Sequence, residues 1–369
     1  MMTKHVPLDP FRFEQLRDSA ALPLDGIRLR RLLARGGHDG AALTVSGHER
    51  SGRNRLYLVS GGGRPRLIAK QSLTFPGTER WFYRHAAAHV ACALTPVLLD
   101  DDLDVVVLPE VEAAVPLAGE GASGLERTMA GLSTLGPALA SLHGLVDRLP
   151  AIPPARSPFP TLDPVDVRIW ADCTPGAREV IRTVQDVPAL NDAFHTSLAG
   201  AGTPALIHGD LKPDNILLPP PSPVNATTGD ASDTEPTRLL LVDWECCGRG
   251  AAEWDVGALL GAGVLAWTRL WTLGASGGAP APALPDPRAI FRSGAALLEG
   301  YREAAWGMHP PRPVLEAAPV ARHMAAWIAG RCWVEAGLTP RALGPHHQTA
   351  LALAQEIAEC PQLLSGGGA

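Results

Sequence analysis

The chain contains the stretch His208-Gly209-Asp210-Leu211-Lys212-Pro213-Asp214-Asn215 and, further on, the stretch Leu241-Val242-Asp243-Trp244-Glu245. In the first stretch an aspartate precedes an asparagine by five positions, and in the second an aspartate ends a short apolar run. The apolar runs 205–207, 216–218 and 239–242 flank these residues and predict short strands. The sequence therefore places two carboxylates and one amide in turns beside strands.

These residue types suit phosphoryl transfer, which depends on positioning the nucleophile and on neutralising phosphate charge. Asp210 is the candidate base that orients an acceptor hydroxyl and accepts its proton. Asn215 and Asp243 offer the amide and carboxylate oxygens that Mg²⁺ prefers. The ordered set predicts a magnesium-dependent kinase site. The structural alternative is a hairpin whose Asp and Asn only form turns.

The His-Gly-Asp start, together with Trp244-Glu245 after Asp243, resembles the aminoglycoside phosphotransferase and choline kinase family of protein-kinase-like enzymes. This resemblance implies an α+β, bilobal protein-kinase-like fold with a small antiparallel-sheet lobe and a larger, mainly helical lobe. It implies ATP and Mg²⁺ as cofactors. It also implies that Asp255 braces the catalytic loop, although an acid at that position also suits the start of a helix.

The resemblance implies an upstream lobe that holds the nucleotide, and residues 66–70 have the pattern of its third strand. Lys70 ends this strand and is the candidate contact to the α- and β-phosphates. Of the 32 basic residues only Lys4, Lys70 and Lys212 are lysines, which suggests that a compact ammonium matters at the two motif positions. Glu79, at the start of a predicted helix, takes the position of the acid that pairs with this lysine in the family.

Further nucleotide contacts are expected from a phosphate-covering loop and from a hinge. Strands predicted at 43–47 and 54–59 are joined by the candidate loop, which contains no GxGxxG motif. A strand predicted at 105–108 runs into the segment where the resemblance places the hinge. The candidate nucleotide-contacting residues of these two segments are Ser46, Gly47, Ser51, Glu110 and Val111.

The domain prediction is a nucleotide-binding lobe at 1–112, with an N-terminal helical extension, and a catalytic and acceptor-binding lobe at 113–369. The segment 219–236, rich in Pro, Ser and Thr, is predicted to be a flexible loop. One helix is predicted at 132–145. Another, over 256–268, is apolar but shorter than the ~20 residues of a membrane span, so it is predicted to be buried.

Composition limits the class of protein and its compartment. The net charge is −6 and no long basic run occurs, which argues against a nucleic-acid partner. Six cysteines without a C-x-x-C pair favour a reducing compartment and argue against a zinc site. The charged first residues are unlike a signal peptide. We therefore expect a cytoplasmic protein without a membrane partner.

The acceptor is expected to bind in the lobe that follows Asp255. Residues 251–369 contain nine acids, eight arginines and six of the nine tryptophans, which favours an acceptor that is not a polycation. The leading hypothesis is a small-molecule hydroxyl on an antibiotic or other natural product. The tryptophans could equally pack a helical core.

Lys212 supports a second hypothesis, because the family commonly has His there whereas protein kinases have Lys, which contacts the γ-phosphate. The acceptor is then Ser or Thr of a precursor peptide in the maturation of ribosomal peptide natural products such as lanthipeptides or thioamitides. A third hypothesis is a non-catalytic nucleotide-binding scaffold. The sequence leaves the acceptor, the choice of ATP or GTP, and the oligomeric state open.

Overall fold

The structure is a computed structural model that describes residues 24–38, 43–48, 54–61, 65–198, 200–219, 239–276, 286–309 and 313–365. The candidate residue Ser51 lies outside the described residues. So do residues 220–236 of the predicted flexible loop, and the first part of the predicted N-terminal extension.

The strands of the described ranges are β1 (Thr44–His48), β2 (Asn54–Ser60), β3 (Leu67–Ser72), β4 (Leu98–Asp100), β5 (Val105–Pro109), β6 (Val115–Pro116), β7 (Pro204–Ile207), β8 (Ile216–Leu218), β9 (Leu240–Leu241) and β10 (Gly248–Ala251). The helices are α1 (Gly26–Arg35), α2 (Thr78–His85), α3 (Gly121–Ser133), α4 (Gly136–His143), α5 (Val167–Asp172), α6 (Pro175–Asp186), α7 (Pro188–Leu198), α8 (Ala252–Ser276), α9 (Arg288–Trp306), α10 (Ala317–Gly337) and α11 (Pro345–Glu359). Short 3₁₀ helices span Ala87–His89, Gly144–Asp147, Pro213–Asn215, Trp244–Cys246 and Pro361–Ser365.

Two compact units are formed by the described residues. The sheet unit lies within Phe11–Pro116 and Asn215–Cys247, and the helical unit lies within Leu117–Asp214 and Gly248–Ala369. The first contains an antiparallel five-stranded sheet and the second contains most of the helices. The predicted α+β class, with a small antiparallel-sheet part and a larger helical part, is confirmed. The boundary between residues 112 and 113 stays a prediction.

The five-stranded sheet has the order β1-β2-β3-β5-β4, so β3 is its central strand. One face packs on α1 in a core that includes Leu33, Ala69 and Val107. Because neighbouring side chains of a strand point to opposite faces, Lys70 is directed to the face away from this core. Lys70 stands opposite Leu56 of β2 and Val106 of β5. Strand alternation therefore sets the direction of the one lysine in this strand.

A small second sheet in the same unit carries the two predicted metal ligands. Strand β8 pairs with β6 and β9, with Ile216 opposite Leu241. The ladder continues for one more bond, since the N–H of Val242 donates to the carbonyl of Asn215 at 3.0 Å. Asn215 and Asp243 therefore lie at the same end of the β8–β9 hairpin.

The helical unit is organised around α8 and α10, which contact closely. A Cβ atom on Gly257 of α8 would lie 2.6 Å from the backbone nitrogen of Met324 in α10. Among the described residues, Ala252–Gly274 is the one helix long and apolar enough to cross a membrane, and 56% of its apolar window is buried. The predicted apolar helix is therefore present, and it is longer than the sequence pattern indicated.

The prediction of one helix at 132–145 is wrong. The chain forms α3 and α4, separated by Thr134 and Leu135, and ends in the 3₁₀ helix Gly144–Asp147. Pro137 stands in the first turn of α4 and has no N–H to continue an earlier helix. Gly136 allows close contact with α9, because a Cβ there would lie 2.5 Å from the carbonyl oxygen of Leu297.

Replacement of Gly257 by Ala is expected to destabilise the protein by about 1–3 kcal/mol, because two helix backbones must separate. Gly263→Ala in the same helix is the matched control. Its Cβ would meet Ile290 at 3.4 Å, an ordinary contact, and Ala favours the helix by up to about 1 kcal/mol. Urea unfolding of both variants measures the difference, and equal stabilities would contradict the close packing of α8 on α10.

Candidate active site

Lys70 is the centre of a buried charge cluster in the sheet unit. Its Nζ lies 2.8 Å from Oε2 of Glu79 and 3.6 Å from Oε2 of Glu245, and it forms a short ion pair with Oδ1 of Asp243. Glu79 comes from α2, whereas Asp243 and Glu245 follow β9. The structure thus brings three of the predicted site residues, Lys70, Glu79 and Asp243, into direct contact.

The cluster contains more negative than positive charge. Burial alone would lower the pKa of Lys70, but the carboxylates of Asp243, Glu79 and Glu245 raise it well above its ordinary value. Burial, followed by the nearby Asp243 carboxylate, raises the pKa of Glu245 to about 7. Burial also raises the pKa of Glu79, against the lowering effect of Lys70. The single ammonium of Lys70 therefore faces three acidic side chains, of which Glu79 and Glu245 are buried.

Two contacts fasten α2 to the segment that carries Asp243. The ring of Trp244 stacks on Phe82 of α2, with centroids 3.7 Å apart and planes at 9°. The backbone N–H of Trp244 donates to Oε1 of Glu79 at 3.3 Å. Glu79 is thereby bound through both carboxylate oxygens, one to Lys70 and one to Trp244. The same segment, at Trp244, therefore fixes both the position of α2 and the orientation of the Glu79 carboxylate.

Asp243 itself has a left-handed backbone, with φ 70° and ψ 60°. Non-glycine residues seldom adopt this conformation, and Asp and Asn do so more readily than other residues. It turns the chain sharply from β9 into the 3₁₀ helix at Trp244–Cys246. An uncommon backbone conformation of this kind is frequent at functional sites.

The oxygen donors at this end of the hairpin fit Mg²⁺. Asp243 supplies a carboxylate that is 30% exposed, Asn215 supplies an amide, and both are hard oxygen ligands. The excess of negative charge around Lys70 favours a divalent cation nearby. When bound, such an ion would neutralise phosphate charge.

Asp210 and Lys212 belong to the helical unit, where they form a short ion pair between Nζ of Lys212 and Oδ2 of Asp210. The loop that carries them turns at Gly209, whose φ is 85°. Asp210 is buried. The candidate base thus has a positively charged neighbour two residues away in its own loop.

The carboxylate of Asp255, in the first turn of α8, binds backbone N–H groups of this loop. Its Oδ2 accepts from the N–H of His208 at 2.7 Å, and its Oδ1 accepts from the N–H of Gly209 at 3.0 Å. The indole N–H of Trp254 donates to the carbonyl of Gly209 at 2.7 Å. The predicted bracing of the loop that carries Asp210 by Asp255 is confirmed by these hydrogen bonds.

Two further buried side chains support Asp255. Nε2 of His143 lies 3.3 Å from Oδ2 of Asp255, and Nδ1 of the same ring lies 3.1 Å from the hydroxyl of Tyr301. His143 is buried and both of its ring nitrogens have polar partners, so it is a packed scaffold residue. Sequence reasoning did not find Tyr301, because no local pattern connects α9 to α4 or α8.

Ser46, Gly47, Glu110 and Val111 lie in the sheet unit, where their contacts are with the adjacent strand β2, with Arg66 and with a local turn. Ser46 and Gly47 are in β1, and the Ser46 hydroxyl donates to the carbonyl of Leu58 at 3.4 Å. Glu110 follows β5 and forms an ion pair with Arg66 at 2.9 Å. The carbonyl of Val111, the next residue, accepts from the N–H of Ala114 at 3.2 Å. Their roles toward a nucleotide stay predictions.

Glu245 is the site residue that sequence reasoning used only as part of a motif. The available signal was its spacing, two residues after Asp243, in an otherwise apolar neighbourhood. Its burial and its 3.6 Å distance to Lys70 make it a member of the charge cluster.

The chain has the protein-kinase-like fold, and the predicted resemblance is confirmed at that level. A microcompartment-associated aminopropanol kinase matches with TM-score 0.55 and 17% identity, over 92% of this chain and 98% of that chain. A choline kinase from Cryptosporidium parvum Iowa II matches with TM-score 0.54 and 11% identity, over 93% and 97%. A glucosamine kinase in complex with glucosamine, ADP and inorganic phosphate matches with TM-score 0.50 and 17% identity, over 91% and 84%.

Neither a family model nor a curated protein matches the sequence. At identities of this size the structural matches establish the fold alone.

Replacement of Asp255 by Asn is expected to lower the free energy of unfolding by about 1–3 kcal/mol, because one of the two buried amides loses its acceptor. Asp172→Asn, at an exposed position, is the control and should change stability little. Urea unfolding monitored by circular dichroism measures both. Unchanged stability of the Asp255 variant would contradict its bracing role.

His323 of α10 is buried beside Trp254, the residue whose indole binds the carbonyl of Gly209. Its Nε2 is 3.0 Å from the carbonyl oxygen of Ala201, so the neutral ring donates from Nε2, and its plane is nearly perpendicular to that of Trp254. Burial lowers the pKa of His323, although the Ala201 carbonyl and Glu253 oppose this shift, while Arg322 adds to it. The folded protein therefore favours the neutral ring.

Stability is expected to fall as the pH drops below about 6.5, because the unfolded chain then binds a proton that folded His323 resists. His323→Gln keeps a donor for Ala201 and removes the titrating group. Its stability relative to the wild type should therefore improve as the pH falls from 7.5 to 5.5. Thermal unfolding across this range measures the effect, and parallel pH profiles would contradict it.

Proposed function

We propose that this chain is an ATP- and Mg²⁺-dependent phosphotransferase that moves the γ-phosphate to a hydroxyl of a small molecule, such as an antibiotic or other natural product. The observation that carries the proposal is the buried Lys70–Glu79 ion pair with Asp243 beside it, at the hairpin end that also carries Asn215. This combination supplies a phosphate clamp and two oxygen ligands for a cation.

The proposal gives each residue one role. Asp210 accepts the proton of the acceptor hydroxyl while the acceptor oxygen forms its bond to the γ-phosphorus. The bond between the γ-phosphorus and the β-γ bridging oxygen breaks, and ADP leaves. Lys70 contacts the nucleotide phosphates, and Lys212 stabilises negative charge near the transferred group. Asn215 and Asp243 hold the cation.

The ion pairs of Lys70 support this assignment. Lys70 has two close carboxylate partners, Glu79 and Asp243. If Asp243 binds a cation, Glu79 still holds the ammonium in place, because its carboxylate is itself fixed by Trp244. The lysine is then positioned while phosphate oxygens replace its second partner.

The acceptor class follows from charge and from the structural matches. Acids and arginines are nearly equal in number over 251–369, which does not favour a polycationic acceptor. The matched proteins are named for aminopropanol, choline and glucosamine, all small hydroxyl compounds. The glucosamine kinase complex also contains ADP, which supports a nucleotide donor here. These points support a small hydroxyl compound as the acceptor.

The Asp210–Lys212 ion pair favours a second candidate acceptor. A lysine in this place is typical of protein kinases, where it contacts the γ-phosphate. The acceptor would then be Ser or Thr of a precursor peptide. Mass spectrometry of candidate precursor peptides incubated with ATP distinguishes this acceptor from a small molecule.

Asp210→Asn is expected to lower acceptor-dependent ADP formation by about 10²–10⁴-fold, because the general base is lost, while nucleotide binding is kept. Asp214→Asn is the matched control, since it is an exposed acid in the same stretch. ADP formation is measured with Mg²⁺ and a panel of aminoglycosides, macrolides, nucleosides, amino alcohols and precursor peptides.

The assay distinguishes a kinase that uses Asp210 as its base from one that does not, and from a non-catalytic scaffold. Stimulation by one acceptor class, lost in Asp210→Asn and kept in Asp214→Asn, supports the proposal. Equal turnover of the wild type and the Asp210 variant would refute the assigned base. Nucleotide binding without transfer to any acceptor would favour a non-catalytic scaffold.

A further inference from the structure

The turn between β4 and β5, in the sheet unit, contains several aspartates that the proposed reaction does not use. They stand at positions 100, 101, 102 and 104. Asp101 and Asp102 are exposed, whereas Asp104 is buried. A carboxylate is seldom buried unless partners compensate its charge. The partners of Asp104 therefore indicate what the turn does.

Both carboxylate oxygens of Asp104 bind the start of α2. Its Oδ2 accepts from the N–H of Gly77 at 2.9 Å, and its Oδ1 forms a short bond with Nε of Arg80. Gly77 directly precedes α2 and has no side chain that could cap the helix. Asp104 therefore caps α2 from a different segment, and its negative charge suits a helix N-terminus.

Asp101 adds an exposed attachment to the same helix. Both of its oxygens accept from Arg84 at 2.9 Å, and Oδ1 also forms a short bond with Arg80. Arg80 and Arg84 are four residues apart and lie on one face of α2. Exposed ion pairs contribute little to stability, so the buried Asp104 is the stronger attachment.

The turn is itself fixed to β3 at the residue after Lys70. Gln71 is fully buried, and its Nε2 donates to the carbonyl of Leu103 at 2.7 Å. The N–H of Leu103 donates to Oδ1 of Asp100 at 2.8 Å. Both backbone polar groups of Leu103 are thus bound. The next residue, Asp104, is therefore held at a defined position relative to β3.

These contacts close a ring around the central ion pair. The ring runs from Lys70 along β3 to the turn, through Asp104 to Gly77, and along α2 to Glu79, which returns to Lys70 at 2.8 Å. Glu79 is only two residues beyond Gly77, so Asp104 holds the end of α2 that carries this acid. The start of α2 is thereby attached to β3 independently of the Lys70–Glu79 ion pair.

We propose that Asp104 is a positioning residue of the kinase site, which holds Glu79 against Lys70 by capping α2. This inference rests on the proposed function, in which Lys70 contacts the nucleotide phosphates. Without the Asp104 charge, Arg80 loses its buried partner and the first turn of α2 loosens. Lys70 is then left with Asp243, which is also a proposed cation ligand. Binding of the nucleotide with Mg²⁺ is therefore weakened.

The test is Asp104→Asn in the full-length protein. Asp104 has a left-handed backbone, with φ 52°, and Asn adopts this conformation readily, so the variant removes the charge without new backbone strain. Isothermal titration should show that ADP with Mg²⁺ binds about 3- to 30-fold more weakly. The matched control, Asp102→Asn, changes an exposed acid of the same turn and should bind like the wild type.

A second comparison separates positioning from a general loss of stability. If Asp104 acts through Glu79, adding Asp104→Asn to Glu79→Gln should change ADP affinity by less than about twofold. Hydrogen exchange of ligand-free protein should be faster at 78–82 in Asp104→Asn and unchanged in Asp102→Asn. If Asp104→Asn fails to fold, Arg80→Gln removes the same ion pair from the side of the helix and is expected to give the same result.

The outcomes distinguish this inference from the proposed function. Wild-type ADP affinity in Asp104→Asn, or the full loss of affinity in the Glu79→Gln background as well, would overturn the positioning role alone. Unchanged exchange at 78–82 would also overturn it. A wild type that binds no nucleotide would refute the proposed function and the positioning role together.

Discussion

A single buried ammonium constrains the sheet unit. Taking a lysine out of water is unfavourable unless opposite charges surround it, and breaking such a pair leaves an uncompensated charge. Lys70 meets this requirement with carboxylates from two separate segments, Glu79 on α2 and Asp243 with Glu245 after β9. The central strand, one helix and the β8–β9 hairpin therefore have to fold into one arrangement, because each supplies part of the same charge balance.

In the helical unit the central buried charge is a carboxylate, that of Asp255. Its partners are the backbone N–H groups of His208 and Gly209 and the ring of His143. The loop of Asp210 is consequently defined by its backbone and by a residue on α8, rather than by the side chain that is assigned to catalysis. The geometry of this loop therefore depends little on the side chain of Asp210.

Local patterns predicted the parts of the molecule that local forces determine. Short apolar runs indicated β2, β3 and β5, and the direction of Lys70 follows from the alternation of side chains along β3. The break between α3 and α4 was missed because Leu135, Leu139 and Leu142 keep a helical period across Gly136-Pro137. Glu245 and Tyr301 gain their positions from long-range packing.

The charge imbalance around Lys70 also has a consequence for stability. Three acids around one ammonium raise the free energy of the ligand-free fold. A neutral replacement of Glu245 would remove its repulsion with Asp243 and Glu79 and stabilise the protein. The same replacement would weaken the attraction for a cation. A substitution that increases thermal stability at this centre is therefore expected to decrease cation affinity.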